Sequence, residues 1–314
     1  MADQRVLMVE SPCHISVDTG RILLRRADGQ SKTELASDLA VLCLHHEQIT
    51  ISHHALRTLH LADCAVMTTD AQHLPCGVMH PLSAQANSVA VTRLRQQIVL
   101  DGDAARKGVL WQHIVSQKIA NGAYLLRLLE SNGAMRLERL ALEVQAGDSR
   151  NAEGQAAKHY WQQYFALPQL NDYAQRRQKQ DAVDAVNARL NYGYAMLRAM
   201  IARELMIAGL NPILGIGHDN QGNPYNLADD FIEPFRFIAE WAVAQEDDFE
   251  TPFVGAAKQR LLQAMQCEVT LTHDADNQYR LAQAIAQTVK SYCLALGEPN
   301  KIPKLKLPKT LLEV

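Results

Sequence analysis

The sequence predicts an α+β chain of more than one domain, a small β-rich N-terminal domain followed by a larger, all-helical one. Up to about Met79, short apolar runs alternate with turn residues, as strands do. From Val89 onward, apolar residues recur at three- and four-residue spacings, the period of a helix. A chain of 314 residues can build both parts and bury a sizeable core.

Taken in order, Val6-Leu7-Met8-Val9 reads as a first short strand. His14-Ile15-Ser16-Val17 and Arg21-Ile22-Leu23-Leu24-Arg25 read as two strands joined at Asp18-Thr19-Gly20. Val41-Leu42-Cys43-Leu44, Ile49-Thr50-Ile51-Ser52 and Cys64-Ala65-Val66-Met67-Thr68 add three more, the last ending at Thr69-Asp70. His54-Ala55-Leu56-Arg57-Thr58-Leu59 does not alternate and is expected to be a short helix. The texture changes between Pro81 and Asn87, which sets the domains at 1–86, 87–298 and a tail at 299–314.

In the second part, Val91, Leu94 and Ile98, then Val109, Ile114, Ile119, Leu125, Leu128 and Leu129, follow the helical period. Asp181 to Leu210 is the clearest helix, with Val186, Leu190, Tyr194, Leu197, Ile201 and Leu205 on one face and an end at Gly209. Phe231–Val243, Ala256–Met265 and Tyr279–Leu296 complete the helices. In the tail, Lys301, Lys304, Lys306 and Lys309 alternate with Pro303 and Pro308, a pattern expected of a solvated terminus, with phosphate contact or partner docking as the sharper alternative.

Lys and Arg number 31 against 34 Asp and Glu, a net charge of −3. That excludes a protein that binds nucleic acid by being basic throughout, but not a local basic stripe. The six cysteines show no CxxC pair or zinc spacing, and four lie in apolar surroundings, so buried thiols in a reducing compartment are expected. No signal peptide and no membrane-length apolar run is read, and the expectation is a soluble, cytoplasmic protein without a membrane partner. The pairs His45-His46 and His53-His54 lack acidic or cysteine companions at ligand spacing and are expected at the surface.

The chemistry concentrates around one loop. Leu214-Gly215-Ile216-Gly217-His218 is followed by Leu227-Ala228-Asp229-Asp230-Phe231-Ile232-Glu233-Pro234-Phe235-Arg236, which sets an imidazole among carboxylates between two apolar segments. Such N/O ligands suit a divalent metal that acts on phosphodiesters. Asp230 and Glu233, three apart, share a helix face; acidic residues at a helix start also serve as caps or dipole partners. Glu153, in Asn151-Ala152-Glu153-Gly154, admits the same two readings. Arg189, Arg198 and Arg203, with Tyr192 and Tyr194, form either a basic ridge for nucleic acid or the edge of a core helix. No Walker-type phosphate loop and no GxSxG elbow is present.

At these residues the sequence resembles a known family, the CRISPR-associated endonuclease and integrase of spacer acquisition, Cas1. The resemblance rests on Asn151-Ala152-Glu153-Gly154, Asn191-Tyr192-Gly193-Tyr194 through Arg198, Ala208-Gly209-Leu210-Asn211-Pro212, Gly215-Ile216-Gly217-His218 and the run from Leu227 to Arg236, in the family's order across most of the helical part. The length and the Glu233-Pro234-Phe235-Arg236 ending resemble the variants that accompany Cas9 effectors, type II systems. Gly217 stands where many relatives have a second polar residue, and Phe237 where a proline commonly follows.

The resemblance implies a homodimer built through the β-rich domain, two such dimers flanking a Cas2 dimer, DNA as substrate and a Cas9 effector among the partners. It places the metal ligands, and with them the catalytic residues, on Glu153, His218 and Glu233, with Mg²⁺ or Mn²⁺ as cofactor and Asp230 as a supporting acid. The implied reaction is attack by the 3′-OH of a short DNA fragment on a phosphodiester of a CRISPR repeat, a transesterification that needs no nucleotide. Two rivals remain: a DNA-binding scaffold subunit without chemistry, and a hydrolase of small phosphoesters. The second is disfavoured by the lack of another carboxylate-rich metal motif and by the basic ridge.

Overall fold

The computed structural model describes residues 5–69, 75–79, 81, 88–179 and 182–312. The expected change of texture at 82–87, with the 86/87 domain boundary, lies outside them, as do Asp70 and Asp181.

Two four-stranded sheets build the N-terminal part. The first joins β1 (Arg5–Val9), β5 (Leu39–Leu44), β7 (Ala65–Thr69) and β8 (Pro75–Met79) in that spatial order, parallel except for β8. The second is ordered β4 (Ser31–Glu34), β3 (Arg21–Arg26), β2 (Cys13–Asp18) and β6 (Thr50–Ile51). The β2–β3 turn puts both Thr19 and Gly20 at positive φ, 46° and 77°, as a two-residue hairpin turn requires. The predicted helix is α1 (His53–Leu61), whose N-terminus the Ser52 side chain caps by accepting from the Ala55 N–H.

The continuous apolar run of β5 follows from burial on both faces. Leu39, Leu42 and Val66 face Ile15, Ile22 and Leu59. Val41, Cys43, Ala65 and Met67 instead join the core of the helical part. There the Cys43 sulfur lies 3.8 Å from the sulfurs of Met67 and Met196. The four buried cysteines are Cys13, Cys43, Cys64 and Cys267. His45 departs from the expected surface position. It is buried beside the Tyr192 hydroxyl, 3.3 Å away, because β5 runs into the helical core.

The second part comprises α2 (Ser88–Asp101), α3 (Ala104–Leu128), α4 (Ala134–Glu143), α5 (Ala152–Tyr164), α6 (Ala185–Ile207), α7 (Asn226–Ile232), α8 (Arg236–Ala244), α9 (Ala256–Ala264) and α10 (Leu281–Gly297). Helix α6 is central and buried nearly all round, so the single apolar face read from sequence understates its burial. It ends as expected: Gly209 has φ 74°, its N–H donates to the Met206 carbonyl, and the Leu210 N–H donates to that of Leu205, a Schellman motif. At Gly193 a Cβ would lie 2.9 Å from the Ala239 Cβ, so the α6–α8 crossing demands glycine.

Val91, Leu94 and Ile98 lie on a helix, α2, as their spacing predicts, but are exposed; Gln97 and Leu100 turn inward, and the Gln97 amide donates to the Asn211 carbonyl and accepts from its N–H. Two expectations are corrected. The helical part also contains a three-stranded sheet, β9 (Glu268–Leu271) flanked by β10 (Asp274–Arg280) and β11 (Pro308–Leu312). The tail is therefore no solvated terminus. Leu305 and Leu307 are buried, Lys306 pairs with Asp274 at 2.5 Å, and β11 pairs with β9.

Candidate metal centre

Three elements converge on one cleft of ≈530 Å³. Helix α5 contributes Glu153 from its first turn. The chain enters it through Asn151 at φ 52°, whose side chain accepts from the Gly154 N–H, while the Asp148 carboxylate accepts from the N–H groups of Ala152 and Glu153. The Ser/Asp/Asn-rich approach thus fixes the helix start, and Glu153 itself is left free of capping duty.

The second element is the loop 215–218. Fully buried Asp230, on α7, accepts from the N–H groups of Ile216, Gly217 and His218, the last at 2.9 Å. It also accepts from His218 Nδ1 at 2.8 Å. Asp230 is thus no cap of its own helix; it gathers the loop and sets the imidazole tautomer. With Nδ1–H committed to Asp230, Nε2 carries the lone pair. This hydrogen bond raises the His218 pKa above its ordinary value, against the effect of burial. Burial pushes the Asp230 carboxyl up as well; with four donors aimed at it the carboxylate is the ionised partner, and the shared proton resides on the imidazole.

The third element is the single 3₁₀ turn Glu233–Phe235 between α7 and α8. Burial would raise the Glu233 pKa, but the charges of Lys118 and Arg236 outweigh it and hold the carboxyl at about 2. The Lys118 ammonium, on α3, lies 2.5 Å from Glu153 Oε1 and 2.5 Å from Glu233 Oε2. Both carboxylates therefore converge on one positive charge in a cleft that His218 also lines.

Glu153, His218 and Glu233 thus line one cleft, with Asp230 buried behind His218. Among the described residues, however, no three His, Cys, Asp or Glu side chains are already grouped as a ligand set. Lys118 stands between the two glutamates, and a divalent ion held by both would have to take its place. The donor set itself fits such an ion: two carboxylates gathered round a cation, and an imidazole whose other nitrogen is held by a carboxylate.

Several contributors were not read from sequence. Helix α3 presents Trp111, Lys118 and Asn121 at helical spacing. Trp111 meets the His218 ring edge-on at 5.6 Å, and a Cβ at Gly217 would lie 2.4 Å from the Trp111 ring, which accounts for glycine there. Buried Asn121 donates to the Pro234 carbonyl at 2.7 Å and to that of Pro308 at 2.8 Å, tying the Glu233 turn to the tail. Arg236 lies over the Tyr194 ring at 4.5 Å. The sequence predicts α3 as a helix from its apolar period but carries no motif that singles out these three side chains.

The basic ridge does not exist. Arg189 and Arg203 are buried, as is Tyr192; Arg189 donates to the Asp248 carbonyl, and exposed Arg198 pairs with Asp229 at 2.6 Å. Positive charge instead surrounds the cleft, where, among the described residues, Lys118, Lys158, Arg177, Lys179 and Arg236 outnumber Glu153, Glu233 and Glu240.

Comparison with known proteins decides the family. The model of the family described as CRISPR associated protein Cas1 matches residues 6–246. The chain belongs to the Cas1 family. The CRISPR-associated endonuclease Cas1 of Neisseria meningitidis serogroup C is 32% identical over 311 residues, covering 98% of this chain and 96% of that one. The fold is also that of a casposase bound to integration product, at TM-score 0.78 and 20% identity, over 99% of this chain and 95% of that one. A Cas6-RT-Cas1–Cas2 complex gives TM-score 0.76 at 18% identity, over 99% of this Cas1 chain and 37% of the other. Among the described residues no helix of this Cas1 is long and apolar enough to cross a membrane.

Proposed function

We propose that this Cas1 is a metal-dependent DNA endonuclease and integrase of CRISPR adaptation, which inserts short foreign DNA into a CRISPR array. The observation that carries the reading is the convergence of Glu153 and Glu233 on a single positive charge beside an imidazole oriented by Asp230. Glu153, His218 and Glu233 would hold Mg²⁺ or Mn²⁺. When bound, the ion would polarise the phosphoryl oxygen and lower the pKa of the attacking hydroxyl.

The protein's own groups supply the rest. Asp230 keeps His218 in the tautomer that can ligate and holds the loop rigid. Arg236 stays hydrogen-bonded to Glu233, at 3.2 and 3.3 Å, and fixes its orientation. The surplus of cations in the cleft attracts a phosphodiester backbone. The attacking 3′-OH of a captured fragment and a repeat phosphodiester are the reactants, and water in place of the hydroxyl gives nuclease activity.

The solved relative that carries Cas2 supports Cas2 as a partner, and homodimers, a Cas9 effector and a cytoplasmic site of action complete the reading. The test is strand transfer. A labelled duplex with free 3′-OH ends is incubated with a repeat-bearing plasmid, Mn²⁺ or Mg²⁺ and Cas2. Wild type should join label to plasmid and His218→Ala should not. Binding without joining by either protein would favour a scaffold, and equal joining by both would remove His218 from the site.

A further inference from the structure

We propose that Lys118 is an exchangeable counter-ion of the metal centre, and that its departure couples metal binding to DNA binding. The inference rests on Glu153 and Glu233 being metal ligands, as proposed above. The oxygens that would ligate the ion, Glu153 Oε1 and Glu233 Oε2, are those that now hold the ammonium, each at 2.5 Å. A lysine and a divalent ion cannot share that position, because their repulsion at such distances is large wherever water is partly excluded. With Lys118 and Arg236 in place, Glu153 and Glu233 are neutralised and the cluster has no net attraction for a cation. Removing the ammonium restores one negative charge.

The two carboxylates are not equivalent. Glu233 keeps Arg236 when Lys118 leaves. Among the described residues Lys118 is the one ion-pair partner of Glu153. Only a side chain needs to move. Lysine carries its charge on a flexible four-carbon stem, and α3 itself is anchored, capped at Asp103 and tied through Asn121 to two other segments. A phosphodiester in the cleft offers the ammonium another anionic partner. DNA therefore draws Lys118 off the glutamates and opens them to the metal, and by linkage the metal favours DNA by the same factor.

The test is calorimetric titration of the full chain with Mn²⁺ alone, for wild type and Lys118→Met. It is repeated with a short 3′-OH duplex present, after subtraction of Mn²⁺ binding to the duplex. Lys118→Gln, which keeps a hydrogen-bond donor for the carboxylates, is measured beside the Met variant to guard against a folding defect. Without DNA, the charge-free variants should bind Mn²⁺ at least about tenfold tighter than wild type. Adding DNA should tighten Mn²⁺ binding by a larger factor in wild type than in the variants. Equal or weaker Mn²⁺ affinity in the variants, or the same DNA factor in all, overturns the proposal. A purely structural lysine would lower the unfolding midpoint of the variants without tightening Mn²⁺. Glu153→Gln, which removes one of the two carboxylates the inference needs, separates the two levels. If it leaves Mn²⁺ binding unchanged, the ligand assignment fails and the inference with it; if it abolishes binding while the Lys118 variants match wild type, only the counter-ion role falls.

Discussion

Asp230→Asn isolates what the buried carboxylate does for the centre without touching a proposed ligand. Ile216 and Gly217 donate to one of its oxygens; Gly217, His218 and the imidazole donate to the other. Whichever way the asparagine amide is turned, its NH₂ meets a buried N–H instead of accepting from it. The loss of a charge-assisted hydrogen bond and the stranded donor together cost about 2–4 kcal/mol. Urea unfolding of the metal-free protein reads this directly. The pH dependence adds a sign. Because the Asp230 hydrogen bond raises the folded His218 pKa, the charged pair stabilises the fold fully below the unfolded histidine value of about 6.5, and that contribution disappears as pH rises through the folded value. Wild type should therefore lose stability as pH rises from about 6.5 through the folded value, and the variant should be flat there. Since a ligand must be neutral, the raised His218 pKa shifts the acid limb of wild-type activity upward, and that limb should move to lower pH in the variant, with Mn²⁺ affinity down about 10–100-fold. A stability loss below about 0.5 kcal/mol, or an unmoved acid limb, would refute the role given to Asp230.

Three further outcomes follow from the same geometry. Asn121→Ala strands the buried Pro234 carbonyl and leaves that of Pro308 with the Gln117 amide alone, and should destabilise by about 1–3 kcal/mol in urea unfolding. Truncation after Pro303 removes β11 and the buried Leu305 and Leu307; a loss of at least about 3–6 kcal/mol is expected from those two side chains, read as a lowered unfolding midpoint. Lys158→Ala combined with Lys179→Ala should weaken DNA binding and reduce the slope of log K against log salt by about 1–2 in filter binding, whereas Arg203→Ala should destabilise the fold and leave that slope unchanged.

Local signals were legible in the sequence wherever one residue's conformation dictated the outcome. The Thr19-Gly20 turn, the Gly209 helix end and the separate strand and helix periods fall in this class. The arginines of α6 were not legible, because periodicity assigns a face to a residue but not the carbonyl that awaits it; Arg189 and Arg203 are inside because backbone acceptors there receive them. The tail misled for a related reason. Lysines and prolines weigh toward solvent, yet Leu305 and Leu307 alternate with the charges and turn to the core once β9 supplies an edge to pair with.

For the site, sequence by itself determined the chemistry: one imidazole and the carboxylates of Glu153, Asp230 and Glu233, at the spacings that resemble Cas1. Tertiary structure alone decided how the labour is divided. Asp230 turned inward to gather three amides and orient His218, while Glu153 and Glu233 turned to the cleft. It also brought in Trp111, Lys118 and Asn121 from a helix with no recognisable motif. The physical reason is that ligand identity is a property of single side chains, whereas a counter-ion or an orienting contact exists only between segments distant in sequence that packing has brought within hydrogen-bond reach.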